Sequence, residues 1–344
     1  MILTPMISYA QISGVVFQDI PSDSSTLNMY GVKDTNEKGI AGVKVTAYPD
    51  GISTTTDSNG YWELNTTGDT RVEFSSWPSY LEESSSSNNN SSVRFVPNGT
   101  SINFALYDPT EYVRSLSTNL ITTLQTNGLN INNDNSVIKI VPPSSSTQDN
   151  SVGNIIDVAK AKEVGSVWGI AYDKSNKILY TSAMLRRHVS VGAKGLGAIY
   201  KVDLRDLNNP TVSHFTTIPD VGNDQMLLYP DRNLSSDFME PSHDPVFNEV
   251  GRIGLGDIDI DEKKQKLFIT NIKNNSLVEV DISNPSSQTS YPIGNPFSTC
   301  TDVKSWGIKV HQDKVYVGSV CTNNVTSGAA VSVLESNSIT LLHT

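Results

Sequence analysis

The sequence has few of the side chains that metal or thiol chemistry requires. Its 344 residues include two cysteines and five histidines, and the histidines have neither HxH nor HExxH spacing, which argues against a zinc site. There is no Gly-x-Ser-x-Gly motif, so a hydrolase nucleophile elbow has no sequence support. No stretch approaches the roughly 20 apolar residues of a membrane-spanning helix. The sequence therefore predicts no insertion into a membrane.

Charged side chains are also scarce, and most of them are acidic. Asp, Glu, Lys and Arg make up 18% of the chain, and the formal net charge is -11. This balance repels phosphate backbones and argues against nucleic acid as a partner. Ser, Thr and Asn supply most of the polarity, and they favour turns and strand surfaces over helix interiors.

Residues 11–107 have the period-two alternation of short β-strands. Seven strands within about 100 residues are typical of an Ig-like sandwich. The predicted strands are Ile12–Phe17, Val43–Tyr48, Ser53–Thr56, Tyr61–Leu64, Arg71–Phe74, Val93–Val96 and Ile102–Leu106. Residues 108–163 are polar and weakly patterned, and we predict a linker there that carries one strand, Ser136–Val141.

A repeated unit follows, and it predicts β-propeller blades over residues 164–344. Trp168–Asp173, Leu255–Asp261 and Trp306–His311 each lead through a polar hairpin into a strand of aromatic and β-branched residues. Repeats of this kind identify propellers. About 40–50 residues form one blade, and a closed propeller needs about four to eight. We therefore expect an all-β chain whose sandwich precedes a partial, truncated propeller.

Two features suggest a secreted or cell-surface protein. Residues 1–10 are largely apolar and end in Ser8-Tyr9-Ala10, which predicts the remnant of a signal peptide; the alternative is a frayed first strand. Cys300 and Cys321 flank two predicted strands, and in an oxidising compartment we expect them to form a disulfide. The alternative is a pair of reduced, buried thiols.

The first segment resembles the B-like domains of serine-aspartate-repeat (SD-repeat) surface proteins. The matching residues are Ile12–Asp19, Gly31–Val45 and Thr55–Trp62. This resemblance implies a prealbumin-like or Ig-like sandwich that acts as a rigid spacer.

The resemblance also implies a Ca²⁺ site in the acidic loop after the first strand. Asp19, Asp34 and Glu37 match the acidic positions of the family, and Asp23 lies in the same loop. Hard cations prefer such oxygen ligands. Here Ile20–Met29 brings Pro, Ser and Thr into the loop, which leaves fewer carboxylates. The alternative is an acidic turn in which Asp34 and Glu37 hydrogen-bond to the backbone.

The rest of the chain resembles bacterial secreted proteins in which a B-like domain precedes a propeller. The matching residues are Gly165–Tyr172, Leu185–His188, Val250–Asp257 and Lys314–Cys321. This resemblance implies a fold and a compartment, and it implies no activity.

The candidate ligand-binding residues are Arg186, Arg187, His188 and Asp257. The basic residues follow a predicted strand and could form a pocket for an anionic ligand such as a sugar acid. Alternatively, the arginines pair with Asp257 or Asp259 of the next blade. Asp257, Asp259 and Asp261 alternate, so they share one face of a strand, and that face could hold a metal or meet solvent.

These observations favour an adhesion or interaction protein, in which the Ca²⁺-stiffened sandwich is a spacer and the propeller recognises a carbohydrate or surface-protein ligand. The sequence identifies no catalytic residue. One alternative is a secreted propeller enzyme of the lyase or lactonase type, with a metal at the central channel. Another is a structural matrix component. At the channel mouth, an enzyme should gather carboxylates, His or Asn, whereas a binder should present aromatic and backbone groups.

Overall fold

The computed structural model describes residues 10–20, 30–84, 86, 88–109, 118–128, 132–143, 155–222, 232, 234, 244–323 and 328–344. These residues are all-β, apart from the four-residue helix α1 (Ala161–Val164) and the 3-10 turn Phe247–Glu249. The chain divides into two compact units, residues 1–114 and 115–344. Among the described residues, no helix is long and apolar enough to cross a membrane.

The first unit contains two four-stranded sheets, ordered β4-β1-β8-β6 and β3-β2-β5-β7. Its strands are β1 (Ala10–Gln18), β2 (Lys44–Tyr48), β3 (Ile52–Thr55), β4 (Tyr61–Thr66), β5 (Thr70–Ser75), β6 (Glu82–Glu83), β7 (Val93–Val96) and β8 (Phe104–Tyr107). Strands β1 and β8 are parallel, and the other pairs are antiparallel. All seven predicted strands are confirmed. Strand β6 was not predicted, because two glutamates carry no periodic pattern.

Both sheets of the first unit contribute side chains to one hydrophobic core. Alternation produces this core: in β4 the side chains are exposed and buried in turn, so Trp62 and Leu64 face inward. The Trp62 and Phe74 rings meet edge to face with centroids 5.6 Å apart, and Phe74 stacks on Phe104 at 4.6 Å. Aromatic pairs of this kind connect the inner faces of the two sheets.

The second unit contains a three-stranded sheet ordered β11-β10-β9, followed by three four-stranded sheets whose strands are in sequence order. Its strands are β9 (Leu120–Thr123), β10 (Ser136–Val141), β11 (Ile156–Lys160), β12 (Val167–Asp173), β13 (Ile178–Ala183), β14 (Ala198–Asp203), β15 (Thr211–Thr217), β16 (Leu255–Asp261), β17 (Lys266–Asn271), β18 (Ser276–Asp281), β19 (Gln288–Pro292), β20 (Val303–His311), β21 (Lys314–Cys321), β22 (Ala329–Glu335) and β23 (Ser338–His343).

The segment predicted as a linker with one strand contains three. β9, β10 and β11 pair with one another, and their core is continuous with that of the next sheet. Ile138 and Val158, for example, share a cluster with Leu179 and Tyr200. β9 and β11 were missed because each is short and lies in a polar segment. Their strand conformation depends on pairing with β10, which the local sequence does not show.

Consecutive four-stranded sheets pack face to face. Sheet β12–β15 shares one apolar cluster with sheet β16–β19, which shares a second cluster with sheet β20–β23. The first strands β12, β16 and β20 lie side by side in that order. This places the start of each sheet close to the start of the next.

Candidate functional site

In the second unit, the first strand of each four-stranded sheet carries a β-bulge at the same position. Two residues of the first strand oppose one residue of the second strand at residues 168–169, 256–257 and 306–307. A bulge bends the strand and redirects its side chains. Because the irregularity recurs at equivalent positions, the three sheets are equivalent units, and the bulged strand ends form one shared region.

Hydroxyl groups link each bulge to the preceding sheet. Ser182 Oγ in β13 donates to the carbonyl oxygen of Gly256 at 2.9 Å, and Thr270 Oγ1 in β17 donates to that of Trp306 at 2.8 Å. Ser182 and Thr270 stand opposite the bulges of their own sheets, and both are fully buried. The repeated hydrogen bond therefore fixes the bulge of one sheet against its neighbour.

Asp257 and Asp259 connect β16 to β20. Asp257 Oδ1 accepts the N–H of Ile258 at 3.0 Å, and its Oδ2 accepts that of Ile308 at 3.3 Å. Asp259 does the same for Ile260 at 2.9 Å and Val310 at 2.8 Å. Burial raises the pKa of Asp257 above its ordinary value. Both carboxylates are therefore engaged by backbone donors of two strands.

Asp261, the third carboxylate of the alternating set, has a different role. Its Oδ1 accepts the N–H of Lys264 at 2.9 Å, and Lys264 Nζ lies 3.1 Å from its Oδ2. It is a hairpin residue, as its place at the turn indicates. The three aspartates alternate along one strand, but they do not form one metal site. Among the described residues, no group of three or more His, Cys, Asp or Glu side chains could hold a metal ion.

Two tryptophans lie at the bulges of the sheets β12–β15 and β20–β23. The Trp168 and Trp306 rings meet edge to face, with centroids 6.4 Å apart and planes at 80°. Trp168 is 48% exposed. The equivalent position of the middle sheet is Gly256, where a Cβ would lie 2.3 Å from Thr270 Oγ1. A side chain larger than that of glycine would therefore clash at this position. The tryptophans form an aromatic pair in which Trp168 is exposed and Trp306 is half-buried.

The loop with Arg186, Arg187 and His188 follows β13. Both arginines are exposed, and Arg187 lies over the Phe247 ring, with its guanidinium carbon 4.9 Å from the centroid. The backbone of His188 has a positive φ of 63°. Asp257 bonds instead to the backbone of β16 and β20 and makes no ion pair with Arg186 or Arg187. The grouping of these four residues around one ligand stays a prediction.

A buried ion pair holds the backbone of this loop. Arg232 and Asp244 have side-chain exposures of 1% and 0%, and their side chains bond to each other. The Arg232 guanidinium also donates to the carbonyl oxygens of Val189 at 2.8 Å and Arg186 at 2.9 Å. Asp244 Oδ2 accepts the N–H of His188 at 2.7 Å. The pair therefore bonds to the backbone of the loop, and the side chains of Arg186 and Arg187 remain exposed to solvent.

Two opposing effects set the pKa of Asp244. Burial acts to raise that pKa, but hydrogen bonds from Arg232, His188 and Val246 outweigh burial and hold it below its ordinary value. Sequence reasoning missed both residues. They lie in the long segment between β15 and β16, which has no periodicity, so no pattern signals that the two charges meet.

In the first unit, Asp19 and Glu37 of the predicted calcium site are buried together. Asp19 Oδ1 accepts the N–H of Gly31 at 2.8 Å, and its Oδ2 accepts the Ser84 hydroxyl at 2.7 Å. Glu37 accepts the N–H groups of Ile20 at 2.8 Å and Asp34 at 2.9 Å. Burial raises the pKa of both acids.

These contacts bear on the expected Ca²⁺ ion. Each carboxylate oxygen of Asp19 and Glu37 already accepts a hydrogen bond from the protein. Lys33 Nζ donates to the carbonyl oxygens of Asp34 and Glu37, each at 2.7 Å. Asp23 lies outside the described residues. The backbone hydrogen bonds that Glu37 accepts agree with the acidic-turn alternative. The Ca²⁺ site, which would need six to eight oxygen ligands, stays a prediction.

The predicted disulfide is present. Cys300 and Cys321 are bonded, with Cα atoms 5.9 Å apart and a sequence separation of 21. The bridge joins the chain just before β20 to the end of β21. In the chain-entropy model, closing a loop of this length stabilises the folded state by roughly 3 kcal/mol.

Comparisons with known proteins give relatives for parts of the chain. No family model matches the sequence. Colossin-D of Dictyostelium discoideum is 27% identical over 176 residues, which cover 51% of this chain and 18% of that protein. Colossin-C of the same organism is 25% identical over 337 residues, which cover 90% of this chain and 32% of that protein. The chain thus spans less than a third of the length of either relative.

Among solved structures, a nidogen/laminin complex gives a TM-score of 0.35 at 10% identity and covers 61% of this chain and 59% of the matched chain. At that TM-score the similarity does not assign a fold.

Proposed function

We propose that this chain is a secreted or cell-surface interaction protein. In this proposal the first unit is an Ig-like sandwich of the SD-repeat B-like type that acts as a spacer. The sheets of the second unit are consecutive blades of a β-propeller, and the bulged ends of their first strands are the recognition surface. The ligand is a carbohydrate or a surface protein.

The repeated geometry of the second unit supports the propeller assignment. Each four-stranded sheet follows the order of the sequence, and the first strands of successive sheets are neighbours. Equivalent bulges and equivalent hydroxyl–carbonyl bonds relate one sheet to the next. Radial repetition of four-stranded sheets is the defining property of propellers.

The aromatic pair of Trp168 and Trp306 carries the proposal that this surface binds. Trp168 keeps 48% of its surface exposed on an otherwise well-packed strand end, and exposed tryptophans are enriched where proteins contact ligands. The nearby carboxylates of Asp257 and Asp259 are bonded to backbone N–H groups. Aromatic and backbone groups at the strand ends favour a binder over an enzyme that needs unengaged carboxylates.

The extracellular assignment rests on the disulfide and the composition. Disulfides persist in oxidising compartments and are rare in the cytosol. The polar surface is rich in Ser, Thr and Asn, and the net charge of -11 favours solubility.

Glycan-array screening of the purified chain tests the recognition role. We expect binding to a subset of glycans, and at least about a tenfold loss of affinity in Trp168→Ala and in Trp306→Ala. Phe95→Ala is the matched control, because Phe95 is an exposed aromatic residue (80%) of the first unit; its affinity should not change. Equal binding by all variants would remove the tryptophan pair from the site.

The array also separates binding from turnover. We expect bound glycans to be recovered intact. New reducing ends or unsaturated products after incubation would indicate the lyase-type alternative. Extracellular proteins should be immobilised in parallel with the glycans. If the chain binds some of these proteins and no glycan, the ligand is a protein and not a carbohydrate.

A further inference from the structure

Several Asn-x-Ser/Thr triplets occur along the chain, and the structure separates four of them into two classes. Such triplets are acceptors for asparagine-linked glycans in secreted proteins. The triplets whose central residue is not proline begin at Asn65, Asn89, Asn90, Asn98, Asn233, Asn274 and Asn324. Asn233 and Asn324 lie outside the described residues.

Asn65 has the exposure that a glycan requires. It lies in the edge strand β4 between the buried Leu64 and Thr66, so its side chain points to solvent. Its register partner in β1 is Gln11, which is also exposed. No hydrogen bond links the Asn65 side chain to another described residue. A glycan on this amide would therefore extend into solvent and displace no contact.

Asn98 lies in the turn between β7 and β8. It is exposed, and the next residue, Gly99, has φ of 79°, as a tight turn requires. The Asn98 side-chain oxygen accepts the Thr66 hydroxyl at 3.3 Å. Within the described part of the chain, the amide nitrogen of Asn98, which is the atom that a glycan would occupy, donates no hydrogen bond.

Asn89 and Asn274 differ because their amide nitrogens are already used. Asn89 Nδ2 donates to the carbonyl oxygen of Gly31 at 3.0 Å, and its Oδ1 accepts Arg94 at 3.1 Å. Asn274 Nδ2 donates to the carbonyl oxygen of Asp220 at 3.2 Å and to its carboxylate at 3.0 Å. Because a glycan replaces one Nδ2 hydrogen, it would remove at least one of the two hydrogen bonds that Asn274 Nδ2 donates, and it would compete with the bond from Asn89 Nδ2 to Gly31. Asn90 is half-buried and falls between the two classes.

We propose that Asn65 and Asn98 are glycan acceptors and that Asn89 and Asn274 are not. The donor class is a polyprenyl-diphosphate-linked oligosaccharide. The asparagine Nδ2 forms a bond to the anomeric carbon of the sugar, the bond between that carbon and the diphosphate oxygen breaks, and the amide loses one proton. The proposal rests on the secretion that the proposed function assumes.

The experiment expresses the full chain behind a heterologous secretion signal in a eukaryotic host and maps peptides after enzymatic deglycosylation, which converts each occupied asparagine to aspartate. We expect conversion at Asn65 and Asn98. N65Q and N98Q should each lose one glycan from the intact mass, whereas N89Q and N274Q should leave the glycan number unchanged. Unmodified Asn65 and Asn98, or full occupancy of Asn274 in folded protein, would overturn the proposal.

Variants of the threonine in the Asn98 triplet are controls for misfolding. T100A removes the Asn98 triplet and should lose that glycan, whereas T100S keeps the triplet and should retain it. Because the secretion signal is heterologous, entry into the secretory pathway does not depend on the native location. An unmodified chain would thus contradict the glycan sites alone, and an intracellular native protein would contradict the proposed function alone.

Discussion

The two units bury carboxylates in contrasting ways. In the first unit, Asp19 and Glu37 lie buried near each other, and their described hydrogen-bond donors are backbone N–H groups and the Ser84 hydroxyl. In the second unit, Asp244 is fully buried but faces the guanidinium of Arg232. The consequence is opposite pKa shifts: Asp19 and Glu37 are raised, and Asp244 is lowered.

This difference shows two solutions to one desolvation problem. A buried carboxylate costs free energy unless it is hydrogen-bonded, paired or protonated. The first unit uses neutral donors, and burial favours the protonated acids. The second unit places a guanidinium counter-charge beside the buried carboxylate, and Asp244 stays ionised. Removing one partner of the buried charge pair should therefore lower the unfolding free energy strongly, because the other charge stays buried without a partner.

The largest expected effect comes from breaking that pair. Arg232→Ala leaves Asp244 buried without its counter-charge, and we expect the unfolding free energy of the second unit to fall by about 3–5 kcal/mol. Urea titration followed by hydrogen exchange and mass spectrometry measures this, because peptides report each unit separately. The first unit should keep its midpoint.

Two further variants sharpen the test. The double variant R232M/D244L replaces the pair with apolar side chains and should recover most of the lost stability. Arg252→Ala removes an ion pair with Asp302 in which the arginine is 53% exposed, and it should cost at most about 1 kcal/mol. A loss in Arg252→Ala as large as in Arg232→Ala would contradict the role of burial.

The next effect concerns the covalent link, which only the second unit has, because residues 1–114 contain no cysteine. The paired variant C300S/C321S should lower the unfolding free energy of the second unit by roughly 3 kcal/mol. Reduction of the wild-type protein should lower the same midpoint and leave the paired variant and the first unit unchanged. An equal response of both units to reductant would show that the reagent acts elsewhere.

Sequence patterns predicted most of the fold but little of this charge placement. Period-two alternation located the seven strands of the first unit, and the repeat located the bulged strands, because both signals are local. The role of Asp257 and Asp259 depends on which N–H groups of β20 face β16. The Arg232–Asp244 pair depends on tertiary contacts of two residues with the backbone of the loop after β13. Those contacts arise from tertiary packing, which no local pattern encodes.

The pH response separates the two kinds of carboxylate with a smaller effect. Folded Asp19 and Glu37 bind protons more tightly than the unfolded chain does, so their stabilising contribution is fully present below the unfolded pKa values of about 4. It is lost as pH rises through the folded values. Asp244 contributes above its unfolded pKa and loses that contribution as pH falls through its lowered folded value.

Urea midpoints at about pH 7 and about pH 4.5 measure this response. The first unit should gain stability at the lower pH, and Asp19→Asn should reduce the gain because asparagine does not titrate. At about pH 4.5 the Asp244 contribution should remain, so wild type and R232M/D244L should respond alike. A first unit that loses stability on acidification, equally in Asp19→Asn, would contradict the raised pKa values.

The smallest expected effect is that of Ca²⁺ on the first unit. Extracellular modules bind Ca²⁺ at about 10⁻⁴–10⁻³ M, so about 1 mM Ca²⁺ against excess chelator at neutral pH is a sufficient test. We expect an unchanged midpoint, because each oxygen of Asp19 and Glu37 already accepts a protein hydrogen bond with which a bound cation would have to compete. A rise that Asp19→Asn abolishes would instead mean that ligands such as Asp23 complete a site. The cation would then neutralise the first unit's carboxylates as Arg232 neutralises Asp244, and the contrast between the units would become one of metal against guanidinium.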